Sequence, residues 1–452
     1  MSNNTTPQLD TIHIVGAGLA GSECAFQLAE AGHKVVLYEM RPKEQTPAHK
    51  TGGYAELVCS NSFGSTTDYS APGQLKWEAE KLNSLILKAA QKAQVPAGMA
   101  LAVDRLIFSD DITKTLTEHP NIQISQQVVT DLSQIPRPCV IATGPLTHMK
   151  LAESIRQHFD NEFLYFYDAI APIIVADSIN MDVAWFADRF DKGTNDYLNC
   201  PLNKEQYETL MHEILGARKI ESKDFEKEFE NTPYFDGCMP IEVIVERGFE
   251  SPRFGPMSPK GLKHHGPKDL YAVVQLRKEN KEGTAYNMVG FQTKMAYPEQ
   301  ARVFRMIPGL EEAEFLKLGS IHRNMYIHSP KKLTPFLSSP KDPGLFFAGQ
   351  ITGVEGYFDS TCIGLLVAKF VSNHSQNKAM PLPPRETAIG SLLNAITDAE
   401  REHFQPTNIN FSLFPTPQEP GLRGRSNKRK KRERMIEVAQ TALTQWMNED
   451  LK

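Results

Sequence analysis

The chain has 452 residues, which is too long for one small domain and predicts two or three. With 40% hydrophobic and 23% charged residues it can bury a large core, so a chain disordered as a whole is excluded. Its 49 Lys and Arg against 54 Asp and Glu give a net charge of −5, which argues against a nucleic-acid-binding protein with a uniformly basic surface.

Targeting and metal-binding signals are weak. Residues 1–10 are polar, and apolar runs such as 169–176 are short and interrupted by Pro172, so we expect neither a secretory signal nor a membrane span. The six cysteines include no C-x-x-C pair, which argues against a disulfide scaffold or a zinc cluster. We therefore expect a soluble cytoplasmic protein with free thiols and no metal.

The first predicted elements form a dinucleotide-binding unit. An apolar strand over 12–15 leads into a glycine-rich turn, a helix is predicted over 22–31, and a second strand over 34–38 ends at Glu39. The turn consists of Gly16, Ala17, Gly18, Leu19, Ala20 and Gly21. These glycines allow a pyrophosphate to approach the backbone and the helix N-terminus, and Glu39 can bind ribose hydroxyls. The pattern predicts an adenine dinucleotide.

Two later segments favour FAD as that dinucleotide. An apolar strand over 139–143 ends in a Thr-Gly turn, and another strand over 344–348 leads into a second glycine-rich loop and a helix over about 360–370. The N-terminus of this second helix can stabilise a reduced, anionic flavin. The predicted contacts here are Thr143, Gly144, Gly349, Gln350, Gly353, Gly356 and Tyr357. There is no second G-x-G-x-x-G, so a nicotinamide would dock without its own Rossmann motif.

The predicted fold is α/β, with a Rossmann-like FAD-binding domain and an inserted mixed α/β domain. The FAD-binding domain would consist of residues 1–178 and 338–452, because the two glycine-rich loops lie so far apart. The insertion would consist of residues 179–337. Its predicted elements are a helix over 204–228, strands over 271–277 and 285–291, and a loop over 249–267 rich in Pro and Gly.

The C-terminal segment is strongly basic. Residues 423–434 contain one acid, Glu433, and eight bases: Arg423, Arg425, Lys428, Arg429, Lys430, Lys431, Arg432 and Arg434. They carry a net charge of +7, which leaves about −12 on the rest of the chain. Apolar residues recur at helical spacing over 435–446, so an amphipathic helix is predicted there. From the residues alone, this segment is either a solvated helix or a phosphate-binding element.

The cysteines fall into two groups. Cys24 and Cys139 lie in a predicted helix and strand, where a cysteine is usually a small buried hydrophobe. Cys59 and Cys238 lie in polar, loop-like segments, which favours exposure and reactivity only modestly. The residues alone leave a structural and a catalytic role open for both.

With these motifs in hand, the sequence resembles the folate- and FAD-dependent tRNA uracil-5-methyltransferases of bacteria. The matching segments are collinear and cover nearly the whole chain. They are 13–40, 54–62 (YAELVCSNS), 167–174 (YDAIAPII), 196–202 (DYLNCPL), 234–248 (YFDGCMPIEVIVERG), 271–277 (YAVVQLR), 303–310 (VFRMIPGL), 322–324 (HRN) and 349–357 (GQITGVEGY).

This resemblance implies an activity. FAD and NAD(P)H would convert the methylene group of 5,10-methylenetetrahydrofolate into the C5 methyl group of a uridine in the T-loop of tRNA. It implies that Cys59 and Cys238 are the catalytic thiols, one a nucleophile and the other a base, and we slightly favour Cys59 as the nucleophile. It also favours the basic segment as an RNA contact.

Four segments depart from the family pattern near the expected chemistry. They are Phe63-Gly64 in place of Leu-Arg, 263–267 in place of an Asp-Pro-Arg-rich turn, Lys294 in place of His, and 359–362 in place of Glu followed by small residues. Two alternatives therefore stay open: a paralogue that methylates ribosomal RNA, and an FAD-containing RNA-binding protein without folate chemistry.

Overall fold

The structure is a computed structural model that describes residues 10–46, 48–160, 164–191, 195–220, 239–262, 266–400, 404–417, 419 and 427–449, with the backbone alone for 164–170 and 321–323. The strands are β1 (Ile12–Val15), β2 (Val35–Tyr38), β3 (Ser62–Ser65), β4 (Gln94–Val95), β5 (Ala100–Val103), β6 (Ile122–Ser125), β7 (Cys139–Ile141), β8 (Leu164–Ile170), β9 (Ile173–Val175), β10 (Trp185–Phe186), β11 (Tyr197–Leu202), β12 (Ala272–Lys278), β13 (Ala285–Met288), β14 (Phe315–Lys317), β15 (Ser320–Tyr326), β16 (Ser338–Ser339) and β17 (Asp342–Phe347).

The α-helices vary from one turn to six. They are α1 (Leu19–Glu30), α2 (Ala71–Lys81), α3 (Leu85–Lys92), α4 (Arg105–Glu118), α5 (Met149–His158), α6 (Lys204–Gly216), α7 (Ile241–Arg247), α8 (Ser251–Phe254), α9 (Tyr297–Phe304), α10 (Ser329–Lys332), α11 (Tyr357–Ser375), α12 (Ala388–Thr397) and α13 (Lys428–Glu449).

The first sheet has the strand order β16-β17-β7-β1-β2-β6, and its neighbours are parallel except for the β16–β17 pair. Its strands are short and apolar because both faces are covered by helices. Strand β1 lies between β2, which follows it in the chain, and β7, which comes much later. The strand order therefore reverses at β1, and the carboxyl ends of β1 and β7 form the crevice where such sheets bind ligands.

Helices α1 and α11 pack against each other at this edge. A Cβ atom added to Gly364 of α11 would lie 2.3 Å from the carbonyl oxygen of Ala20 in α1, so only glycine permits the approach. Both helices contribute buried side chains to one continuous core with the first sheet. This close packing brings the beginnings of the two helices, and the glycine-rich loops before them, to the same side of the molecule.

The second sheet is antiparallel, with the order β10-β11-β12-β13-β9-β14, and it has a separate core beneath α6, α7 and α9. Strands β8 and β15 form a separate two-stranded antiparallel ladder; β8 precedes this unit in the chain and β15 follows it. A third sheet, β3-β5-β4, belongs to the segment that follows Cys59. These features confirm the predicted α/β class, with a Rossmann-like sheet and a second, mixed α/β unit.

Most predicted elements are present, with shifted ends. The helix predicted at 204–228 is observed from Lys204 to Gly216, and residues 221–228 lie outside the described part. The segment 249–267, predicted as a loop, contains the one-turn helix α8. The amphipathic C-terminal helix is confirmed, and it buries Met435, Ile436, Ala439, Leu443 and Trp446. In the part of the chain that the structure describes, no helix is both long and apolar enough to cross a membrane.

Candidate functional site

The first glycine-rich loop requires its glycines. Gly16 follows β1 with φ +101°, and a Cβ atom there would lie 2.7 Å from the carbonyl oxygen of Ala142, which follows β7. A Cβ atom on Gly21 would lie only 1.8 Å from the carbonyl oxygen of Gly16. A Cβ atom on Gly18, by contrast, would have no protein atom within 4 Å. The loop is thus tight against the sheet and open at Gly18, directly before the N-terminus of α1, as an anion-binding loop requires.

Glu39, at the end of β2, anchors this loop. One carboxylate oxygen accepts the backbone N–H of Ala17 at 2.9 Å, and the other accepts Nε of Arg41 at 2.8 Å and its backbone N–H at 3.0 Å. Burial alone would raise the pKa of Glu39, but the hydrogen bonds and charge of Arg41, with the Ala17 amide, hold the pKa below its usual value. Glu39 is therefore a fixed, ionised acceptor at the edge of the crevice.

A cleft opens at the carboxyl ends of β1, β2 and β7. Gly16, Gly18, Glu39 and Thr143, all predicted from the sequence, line it together. The sequence reasoning missed other lining residues, namely Tyr38, Met40, Arg41, Thr46, His49, Gln127, Val129, Ala142, Leu146, Thr147, His148 and Leu151. Residues 127 and 129 follow a strand of the parallel sheet, and that position is the one signal that could have identified them.

His49 contributes a neutral ring to this cleft. Burial and the charge of Arg41 lower the pKa of His49 to about 4. Arg41 is held in turn by Glu39 and by Glu56 at 3.3 Å. The walls of the cleft near β2 thus consist of a fixed ion-pair network and an uncharged imidazole at neutral pH.

The second glycine-rich loop lies against the first. Residues Gly349–Thr352 form a 3₁₀ turn, and a Cβ atom on Gly349 would lie 2.6 Å from Cβ of Ala20. Gly353 and Gly356 have φ of +81° and +104°, values that favour glycine, and α11 begins at Tyr357. Gln350 donates to Glu355 at 2.6 Å, which fixes the loop from within. The structure therefore places the two predicted cofactor loops side by side.

The hydroxyl of Tyr357 links this second loop to Cys59. Its oxygen accepts the backbone N–H of Cys59 at 2.7 Å and that of Ser60 at 3.2 Å. Residues 59 and 357 are 298 positions apart in the chain. A half-buried thiol therefore lies next to the N-terminus of α11, at the loop predicted to bind the flavin.

Cationic side chains surround the backbone of the Cys59 segment. Arg105 of α4 donates to the carbonyl oxygens of Leu57 and of Cys59, the latter at 3.1 Å, and Lys317 of β14 donates to that of Val58 at 3.1 Å. Burial lowers the pKa of Lys317, the charge of Arg105 lowers it further, and Cys59 acts in the opposite direction. Two cationic side chains thus bind the backbone of this segment.

The remaining cysteines differ from Cys59. Cys24, Cys139, Cys200 and Cys362 are fully buried, and burial raises the pKa of each, to about 12 for Cys139 and Cys200. The prediction that Cys24 and Cys139 are core residues is confirmed. The second predicted catalytic thiol, Cys238, lies outside the described residues.

The structure gives side-chain contacts for Phe63 and Asp359, whereas the contact of Lys294 is made by its backbone and does not explain its side chain. Phe63 packs its ring against those of Phe108 and Tyr357, at centroid distances of 5.3 and 6.0 Å. Asp359 accepts the backbone N–H of Ile409 at 2.6 Å. The backbone N–H of Lys294 donates to the carboxylate of Glu242 at 3.1 Å. Residues 263–265 lie outside the described part.

The basic segment begins α13. Lys428, Arg429 and Lys430 are exposed, whereas Arg423 and Arg425 lie outside the described residues. Arg429 pairs with Glu433 at 2.8 Å, Arg434 pairs with Glu419 at 2.7 Å, and Arg432 lies over the ring of Phe411 at 5.0 Å. Within the ranges described, no carboxylate lies within ion-pair distance of Lys428, Lys430 or Lys431.

Over the described residues, no group of three or more His, Cys, Asp or Glu side chains could hold a metal ion.

Comparison with known proteins places this geometry in a family. A family model described as "GIDA: Glucose inhibited division protein A" matches residues 11–379. A "Methylenetetrahydrofolate--tRNA-(uracil-5-)-methyltransferase TrmFO" of Bdellovibrio bacteriovorus is 63% identical over 448 residues, which cover 99% of this chain and 100% of the relative. Proteins of the same name from Bartonella henselae and Natranaerobius thermophilus are 54% and 50% identical, over 89% and 94% of this chain and 89% and 97% of the relatives.

A solved structure agrees on the fold. The form II crystal structure of Aquifex aeolicus GidA has a TM-score of 0.68 at 15% sequence identity, and it covers 97% of this chain and 73% of that one. At this identity the likeness supports the fold alone. The family assignment depends on the high-identity relatives, which extend over nearly the whole chain. The chain therefore belongs to the family of methylenetetrahydrofolate–tRNA-(uracil-5-)-methyltransferases, within the wider GIDA family.

Proposed function

We propose that this chain is an FAD- and folate-dependent tRNA methyltransferase that forms 5-methyluridine. The observation that carries the proposal is the pair of hydrogen bonds from the Cys59 and Ser60 amides to the Tyr357 hydroxyl, because they join a thiol to the second cofactor loop. The names of the relatives supply the folate donor and the tRNA uracil acceptor. These names favour tRNA over the ribosomal RNA alternative and an enzyme over a non-catalytic RNA-binding protein.

The residues present fit FAD. The backbone at Gly16 and Gly18 and the N-terminus of α1 would hold the pyrophosphate, because Gly18 is open where the rest of the loop is tight. Glu39 would orient the ribose, and the 349–356 loop with the N-terminus of α11 would hold the flavin end. When bound, FAD supplies the two-electron chemistry that no side chain can provide.

The thiol explains how uracil could react. A Cys59 thiolate that adds to C6 of uracil forms an S–C6 bond and moves the electron pair of the C5–C6 double bond toward O4, which makes C5 nucleophilic. C5 then bonds to the one-carbon unit, the carbon–nitrogen bonds that held this carbon break, and a base removes the C5 proton. A hydride that originates from NAD(P)H adds to the same carbon as the S–C6 bond breaks and the thiolate leaves, so that tetrahydrofolate and 5-methyluridine are released. We assign the nucleophile to Cys59 and the base, or its relay, to Cys238.

NAD(P)H and the T-loop are the finer parts of the proposal. Reduction of a methylene to a methyl group consumes two electrons and a proton, so methylenetetrahydrofolate, uridine, a proton and NAD(P)H would give tetrahydrofolate, 5-methyluridine and NAD(P)⁺. The chain has one G-x-G-x-x-G motif, so NAD(P)H would bind transiently without its own Rossmann motif. A single-stranded loop such as the T-loop would present the unstacked base that this chemistry needs. A tRNA substrate also favours the cytoplasm.

The predicted domains remain part of the proposal. Two separate cores support an FAD-binding domain of residues 1–178 and 338–452 and an insertion of residues 179–337. Because β9 (173–175) pairs within the second sheet, a first boundary a few residues before 178 would fit better.

The test is a transfer assay with the holoenzyme. The purified protein is incubated with unmodified tRNA, NADPH and methylenetetrahydrofolate labelled in its one-carbon unit, and the label is mapped by nuclease digestion. We expect label in 5-methyluridine of the T-loop, its loss in C59A and C238A, and its retention in C200A, because Cys200 is fully buried. Label arriving from S-adenosylmethionine, or full activity in both C59A and C238A, would refute the proposal.

A further inference from the structure

Three consecutive residues at the end of β12, in the second sheet, contact the segment that carries Cys59. Arg277 donates to the side chains of Ser60 and Asn61, and the carbonyl oxygen of Lys278 accepts the Asn61 amide at 3.0 Å. Glu279 forms an ion pair with Arg105, which itself donates to the Cys59 carbonyl. The second sheet thus contacts the thiol segment through side chains, whereas Tyr357 contacts its backbone amides.

We infer that Arg277 is a positioning residue for Cys59, through which the second sheet sets the place of the thiol relative to the second cofactor loop. This inference depends on the proposed function, in which the position of the thiol relative to that loop matters for catalysis. Nε of Arg277 donates to Oδ1 of Asn61 at 3.0 Å, and Nη2 donates to Oγ of Ser60 at 3.1 Å. Two donors of one rigid guanidinium therefore fix two successive side chains directly after the cysteine.

The burial of Arg277 is more than stability requires. Its exposed fraction is 8%, and burial lowers its pKa. Among the residues that the structure describes, no carboxylate lies within 4 Å of Arg277, and its acceptors at Ser60 and Asn61 are neutral. The Tyr197 hydroxyl and the more distant charge of Glu279 oppose the effect of burial on its pKa without reversing it. A buried guanidinium without a close counter-ion is costly, and two apolar side chains could fill the same space. What they could not supply is the directional pair of hydrogen bonds.

Asn61 transmits the constraint to the backbone. It is fully buried, and its amide also donates to the Val103 carbonyl at 3.1 Å, so its side chain has one possible orientation. Arg277 holds the side chains of residues 60 and 61, and the Tyr357 hydroxyl holds the amides of residues 59 and 60, so two independent elements fix the backbone at Cys59. Loss of Arg277 would leave the thiol present but less well placed, and a displacement near 1 Å can cost about a hundredfold in rate.

The test compares R277M, R277K and a matched control, R189M, each as the flavin-loaded protein. Arg189 is half-buried and donates to Gln275 of the same strand at 2.7 Å, but it does not bind the Cys59 segment. Two quantities are measured: kcat and KM for tRNA, and the rate at which iodoacetamide alkylates Cys59, followed by peptide mass spectrometry.

For R277M we expect kcat to fall by about a hundredfold with KM within about threefold. We also expect alkylation of Cys59 to become about threefold to tenfold faster, because a half-buried thiol in a looser segment is more accessible. R277K should be intermediate, since an ammonium cannot make the same two directed bonds. R189M should match the wild type in both measurements even if its melting temperature falls.

The two readouts separate the possible failures. If R277M melts earlier but keeps wild-type kcat and wild-type alkylation of Cys59, Arg277 is only structural and the inference is wrong. If R277M does not fold, S60A removes one of the two acceptors and should shift both quantities in the same directions; no shift in S60A would also overturn it. If the wild type does not methylate tRNA, the proposed function fails, while the alkylation rates still decide the positioning role.

Discussion

Replacement of Tyr357 by Phe tests the connection between the thiol and the second cofactor loop. The substitution removes one oxygen and leaves the ring, which packs against Phe63 at 6.0 Å. Two backbone donors, the N–H groups of Cys59 and Ser60, then lose the acceptor that lies 2.7 and 3.2 Å away. An unsatisfied buried donor costs about 1–3 kcal/mol, and because this segment is half-buried, water can compensate part of the loss. We therefore expect about 2 kcal/mol for the pair.

The loss of these two hydrogen bonds should let the Cys59 segment shift and misplace the thiol, because the segment can move without unfolding the domain. A loss of about 2 kcal/mol corresponds to about a thirtyfold fall in kcat for methyl transfer. Flavin absorbance should stay within about twofold, and alkylation of Cys59 should become faster. Y69F is the matched control, because Tyr69 is exposed and its hydroxyl makes one long contact of 3.7 Å with the sulfur of Met99. If Y357F keeps wild-type kcat and wild-type alkylation, the hydroxyl does not position Cys59 and the reasoning is refuted.

Three further outcomes follow from the structure. G21A should lose bound flavin, measured by absorbance, because its Cβ would lie 1.8 Å from a backbone oxygen; retention of flavin would contradict the tight loop. Burial raises the pKa of Glu78 to about 7, so the folded state binds more protons than the unfolded state between the unfolded pKa and pH 7. The wild type should therefore lose stability relative to E78Q as pH rises through this window, by at most about 1.4 kcal/mol per pH unit, whereas parallel melting curves would exclude the effect. Replacement of Lys428, Lys430 and Lys431 by neutral residues should weaken tRNA binding without loss of flavin. The slope of the logarithm of the binding constant against the logarithm of the salt concentration, measured by filter binding, should become shallower by about 2–3. An unchanged slope would mean that this surface does not bind RNA.

The sequence predicted the cofactor part of the fold well because its signals are local. The strand, turn and helix over residues 12–30 follow one another directly, and a Cβ atom on Gly16 or Gly21 would clash with backbone atoms of the adjacent strand end or of the loop itself. The end of β2 and the start of α11 are marked in the same way by Glu39 and by the glycines before Tyr357. The family resemblance added the prediction that Cys59 is a catalytic thiol.

The environment of Cys59 was not predictable in this way. Arg277 lies 217 positions from Ser60, and Lys317 lies 259 positions from Val58. Arg277 ends a strand that the sequence predicts, whereas Lys317 lies in a short strand that it does not predict, and a lysine or arginine near a strand end is ordinarily a solvent-exposed residue. Their contacts depend on how the second sheet packs against the segment after Cys59, and nothing in the local sequence encodes that packing.

The net charge of −5 likewise does not show how charge is distributed along the chain. It is the sum of a charge of about −12 on the acidic body and +7 on the basic segment, so it hides a local surface that could bind phosphates. The formal charge of that segment, +7, overstates the surface in turn, because Arg429 and Arg434 are engaged by neighbouring glutamates and Arg432 lies over Phe411. Ion pairs that RNA must first displace contribute less to counterion release than cations without such partners. The salt dependence of binding should therefore reflect the lysines at the start of α13 more than the number of basic residues in the sequence.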